Sequence, residues 1–177
     1  MDKIYRIKFF DLLFIYLSLL IDSMFVILII YFTITQFELF YAILLPLIIW
    51  ALGSNFINKI QLIKQIKILE YKYLNIKYLD SNIIFEIANS NNSSIAIKSD
   101  DIEKVSINSY GILGFMNFFR GHGSNIGYQN SIVKLGKISI LSKDLEEYKL
   151  IISDIEEFEK FLNSANINVF IENIEAL

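Results

Sequence analysis

FFDLLFIYLSLLIDSMFVILIIYF (residues 9–32), then TITQFEL (33–39), then FYAILLPLIIWALGSNF (40–56), is the stretch that decides how the remaining sequence is read. The apolar run from Leu12 to Phe32 approaches the ~20 residues needed to cross a bilayer. A secretory signal would carry an apolar run of about 7–15 residues and a small-residue cleavage site. Here Thr33, Ile34, Thr35 and Gln36 follow instead, so a retained membrane helix is expected. The second run contains Pro46, which membrane helices tolerate when neighbours satisfy the freed carbonyl. Trp50 lies toward its inner end, where an interfacial anchor would sit.

The break between the runs has no Lys or Arg, whereas Lys3, Arg6 and Lys8 precede the first run and lysines follow the second. The positive-inside rule then puts both termini in the cytoplasm and makes residues 1–56 a multi-pass helical hairpin, with helices at about 10–32 and 40–56.

Asp22 lies near the centre of the first run, where a carboxylate costs about 2.5–3.5 kcal/mol to insert. Hairpin geometry sets it level with residues 45–50, which offer Pro46 and the Trp50 indole but no basic side chain. Two readings stay open. Asp22 is an uncharged carboxyl bonded to a backbone carbonyl, such as the one freed by Pro46, or it contacts a second copy or another protein within the membrane.

Residues 57–71 form a basic collar, in which Ile57, Ile60, Leu62, Ile63, Ile66 and Leu69 recur near helical spacing with lysines between them. Lys59, Lys64, Lys67 and Lys72 are the candidate contacts to anionic lipid. The chain has 177 residues, a net charge of −3 and acidic side chains in excess after the collar, a balance that favours a membrane surface over nucleic acid. With no cysteine, disulfides and thiolate sites are excluded.

Beyond the collar the pattern turns to strands. YKYLNIKYL (71–79) is rich in aromatic and β-branched residues, and Ile83–Ile87 resumes after the turn residues 80–82. Ser94–Lys98 and Glu103–Ser109 alternate, Ser131–Val133 and Lys137–Leu141 read as two strands around Gly136, and Tyr148–Ile152 is the last strand. Ser153-Asp154-Ile155-Glu156 fits a capping box opening a helix whose apolar face is Ile155, Phe158, Phe161 and Leu162. The tail 166–177 has no assigned place.

Short antiparallel strands closed by one amphipathic helix are expected to form an α+β domain. Over residues 72–165 this order, carried by SIAIKSDDIEKVSI, KISIL and YKLIIS before IEEFEKFL, resembles bacterial membrane-anchored pleckstrin-homology-like (bPH) domain proteins with an N-terminal transmembrane hairpin. The resemblance implies a bent antiparallel β-barrel closed by a C-terminal helix, held at the cytoplasmic face of the inner membrane. It also implies a small envelope accessory or self-protection factor. The segment 111–130 departs from that pattern. Phe115, Phe118 and Phe119 before Arg120 make it either the end of the domain core or a surface for a partner or the membrane.

No catalytic, metal or cofactor site is expected. His122 is the sole histidine, and its glycine-rich surroundings lack a GK[ST] ending. The expected function is non-enzymatic docking of membrane lipids, a protein partner or a homo-oligomer. The alternative is a small accessory subunit of a transporter or channel, with Asp22 at a helix–helix contact or an ion path.

Overall fold

The computed structural model describes residues 3–35, 56–79, 82–89, 93–112 and 131–176. The second apolar run up to residue 55, with Pro46 and Trp50, and the segment carrying Phe115, Phe118, Phe119 and Arg120 lie outside the described residues. One helix among them, α1 (Phe9–Thr35), is long and apolar enough to cross a membrane. Only 11% of an 18-residue apolar stretch within Phe9–Phe32 is buried, unlike the core helix of a soluble domain. A second helical stretch, α2, covers residues 56–68.

The remaining elements form an α+β domain of two four-stranded sheets. The first sheet has the order β1 (Lys3–Arg6), β2 (Tyr71–Leu79), β3 (Asn82–Asn89), β4 (Ser94–Lys98), all antiparallel. A short 3-10 turn at Ser99–Asp101 leads into the second sheet. Its order is β7 (Glu147–Ile152), β6 (Val133–Ser142), β5 (Ile102–Ile112), β8 (Val169–Ala176). Helix α3 (Ile155–Ser164) lies between β7 and β8 in the chain.

The two ladders remain separate, so among the described residues there is no closed barrel. Two segments that the sequence pattern does not give to the domain belong to it. Residues 3–6, placed with the membrane hairpin, pair with β2 from Lys3↔Ile76 to Arg6↔Tyr73. The tail supplies β8, parallel to β5 from Val105↔Val169 onward.

The interior follows from strand alternation, since successive side chains point to opposite faces. Leu74 and Ile76 of β2, Phe85 and Ile87 of β3, Val105 and Ile107 of β5, Ile138 and Ile140 of β6, and Leu150 and Ile152 of β7 fill one core. Helix α3 closes it with Ile155, Phe158 and Leu162, and the Phe158 ring meets Tyr5 of β1 edge-on at 5.0 Å. The second sheet is also covered on its other face. Ile112, Val133, Leu135 and Ile151 point away from that core and pack with Ile15 of α1 and Leu62 and Ile63 of α2. Burial on both faces explains why YKLII reads as a nearly continuous apolar run rather than an alternating one.

Gly136 lies inside one unbroken strand, not between two. It faces α3, where a Cβ would stand 2.2 Å from Ile155 Cδ1 and 2.7 Å from Cγ1. A glycine within a strand here marks a close approach of another element rather than a turn. The Gly136→Ala variant should therefore lose about 1–3 kcal/mol by overpacking. Its unfolding midpoint in detergent should fall, and the added Ile155→Ala change, which removes the colliding atoms, should make the two effects less than additive. Wild-type stability of Gly136→Ala would contradict this packing.

Candidate functional site

The functional features converge where α1 meets the domain. β1 ends at Arg6, and two residues later the chain enters α1. Asp11, in the first turn, suits the positive end of the helix dipole. It also accepts a hydrogen bond from the Ser153 hydroxyl, which joins the start of α1 to the β7–α3 junction. The Ser153 oxygen accepts the Lys8 backbone N–H at 3.1 Å, and the Ser153 N–H donates to the Arg6 carbonyl at 3.1 Å. Ser153 is buried, and these three bonds engage its hydroxyl and its amide.

The expected capping box is therefore replaced. Asp154 is the N-cap of α3, in the left-handed region at φ 58°, and it makes no side-chain cap bond. Its carboxylate receives Lys8 Nζ at 2.6 Å instead. That hydrogen bond raises the Lys8 ammonium above its ordinary pKa. Glu156, expected to complete the box, receives Lys134 Nζ at 2.6 Å and is held below the usual carboxylate range by it. Lys3 pairs with Glu157, which raises the lysine. These exposed pairs each contribute about 0–1 kcal/mol. Lys8, Asp154, Lys134, Glu156 and Glu157 line an open cleft of about 430 Å³ with charges of both signs.

Farther along α1 is the one buried ion pair among the described residues. Lys59 Nζ donates to Asp22 Oδ2 at 2.6 Å, with the side chains 3% and 10% exposed respectively. The pair stands at the end of the apolar contact of Ile15 with Leu62 and Ile63, against which Ile7, Leu19, Ile66 and Leu69 also pack. Rising numbers on α2 meet falling numbers on α1, so α2 runs back along α1 toward the domain. Ser23, next to Asp22, bonds the Leu19 carbonyl at 2.8 Å.

Asp22 thus has a basic partner in its own chain, which neither sequence reading of it includes. Lys59, expected at lipid as part of the basic collar, has its ammonium buried on α1. A signal was present: Lys59 shares a helical face with Leu62, Ile63 and Ile66, three, four and seven positions on, whereas Lys64 falls on the opposite side. Lys64 and Lys67 are exposed. Lys72 caps the end of α2, donating to the Ile66 carbonyl at 2.8 Å, where a cation suits the helix dipole. Lys8, Asp11 and Ser153 were not singled out as site residues, because each had an ordinary local role and their partners are distant in sequence.

No protein-family model, curated protein or solved structure matches the chain.

Ser153→Ala should leave Asp11 and the Lys8 amide without their shared partner, a loss of about 1–3 kcal/mol. Hydrogen exchange on the full chain in detergent should show faster exchange over residues 6–12 and unchanged exchange in β2–β4. Unchanged exchange over residues 6–12 would mean that Ser153 does not hold this joint.

Proposed function

We propose that this chain is a non-enzymatic, membrane-anchored docking protein. Its α+β domain is pleckstrin-homology-like and is held against the cytoplasmic face of the inner membrane, where it contacts anionic lipid. The observation that carries this reading is the hydrogen-bonded, packed joint between α1 and the domain. A simple tether would join the two by a free linker. Here the strand before α1 is part of the domain sheet, Ser153 bonds the first turn of α1, and α2 returns from Asp22 to the domain along α1. This integration of the apolar helix also argues against a removable signal segment.

A domain fixed in this way presents Lys64 and Lys67 at a constant position relative to the bilayer. Each lysine near an anionic surface contributes about 1 kcal/mol of attraction. The helix supports the pleckstrin-homology-like reading, since Ile155, Phe158 and Leu162 enter the core directly after β7, although β8 follows it and pairs in parallel with β5. The alternative, an accessory transporter subunit with Asp22 on an ion path, has less support, because Lys59 already engages the Asp22 carboxylate.

The full chain in nanodiscs tests the lipid contact. Hydrogen exchange over residues 60–72 should be slower with phosphatidylglycerol than with phosphatidylcholine alone. The difference should shrink as salt shortens the ~8–10 Å screening length and vanish in the Lys64→Gln/Lys67→Gln variant. Equal exchange in both discs would remove the lipid contact and leave a protein as the docking partner.

A further inference from the structure

The ion pair and the covered face of the second sheet together fix where the bilayer begins. We propose that hydrocarbon covers α1 from about Leu17 to Thr35, that its cytoplasmic boundary crosses α2 at Lys64, and that the Asp22–Lys59 pair lies inside lipid beneath the domain. This rests on the membrane reading above and adds a depth to it.

The apolar window Phe9–Phe32 is long enough to span, but one side of its first turns is held by the domain, and only the other side, with Phe9, Phe10 and Phe14, is exposed. Ile15 is fully buried in one cluster with Val133 and Leu135 of the second sheet and with Leu62 and Ile63, which mark the level where the domain ends on α2, and Asp11 is bonded to Ser153. Immersing Phe9–Ile15 would draw the edge of a polar domain into hydrocarbon.

Charge placement gives the same boundary. Counting five residues from the pair along each helix reaches Lys64 on α2 and Leu17 on α1. Inside that level, α1 carries Asp22 as its sole charge and residues 56–63 carry Lys59 as theirs. Each neutralises the other, so the two segments enter lipid with no unpaired charge. Outside that level the free charges begin at once with Lys64 and Lys67, both exposed. Burying either at mid-membrane would cost about 2.5–3.5 kcal/mol. At the boundary they meet lipid phosphates instead.

The lengths agree. The stretch from Leu17 to Thr35 rises about 28 Å at ~1.5 Å per residue, near the ~30 Å of a hydrocarbon core. The ion pair then lies roughly 7–8 Å inside it. Tyr16, 41% exposed, falls at the interface, where its ring and hydroxyl suit the headgroup layer.

The chain has no cysteine, so single cysteines report depth without background. The full chain would be reconstituted in phosphatidylethanolamine–phosphatidylglycerol vesicles, with a charged maleimide supplied to both faces. Phe10→Cys, Phe14→Cys and Lys64→Cys should label as readily as in denaturing detergent. Leu20→Cys, Met24→Cys and Ile27→Cys should lose labelling. Protection of Phe10→Cys and Phe14→Cys together with the deeper three would overturn the proposed boundary and leave the membrane reading intact. Free labelling of Leu20→Cys, Met24→Cys and Ile27→Cys would overturn both.

Discussion

A carboxylate in the middle of a long apolar helix constrains everything around it. Asp22 cannot be left alone in a dry environment, and Lys59 meets it at 2.6 Å with both side chains nearly inaccessible. Charges taken out of water are repaid only by close geometry, so such a pair specifies an arrangement more than it adds net stability. Here it specifies one register between α1 and α2. With that register set, Leu62, Ile63 and Ile66 fall along the stripe that begins at Ile15, and α2 ends where β2 must begin.

The second sheet is the other half of this arrangement. Its strands are apolar on two faces because they serve two cores. One face packs on the first sheet and α3, the other on α1 and α2. β6 divides the work by parity: Ile138 and Ile140 face the domain core, and Val133 and Leu135 face the membrane helix. Gly136 sits on the domain side, where its missing side chain admits Ile155. The membrane helix is therefore built into the domain, and Ser153 completes the joint by binding the first turn of α1 and the end of β1. Under the proposed docking role, a domain held this way would present one fixed face to the bilayer.

Much of this was legible in the sequence where periodicity is local. YKYLNIKYL and SIAIK form strands with the bounds that alternation indicates, Tyr71–Leu79 and Ser94–Lys98. The long apolar helix and the amphipathic helix from Ile155 were equally plain. What was not legible depends on distant partners. KIYR is too short and too charged to read as a strand, and becomes β1 only by pairing with β2 some seventy positions later. β8 needs a parallel neighbour more than sixty positions earlier. Gly136 signals a turn in most sequences, and only the neighbouring helix shows why it lies mid-strand. Ser153 carried a correct local motif whose groups were taken by a segment nearly 150 positions away. For the candidate site, Asp22 stood out as an uncompensated charge, but its mate was hidden in a lysine-rich collar that looked uniformly solvated.

Asp22 and Lys59 act as one unit, and a double-mutant cycle tests that most directly. Unfolding free energies would be measured on the full chain in mixed micelles. Asp22→Leu alone strands a buried ammonium, and Lys59→Met alone strands a buried carboxylate. Each should cost about 3–5 kcal/mol, whereas the double variant, which removes both charges, should recover most of that loss. Additive losses, or single variants as stable as the wild type, would contradict the account.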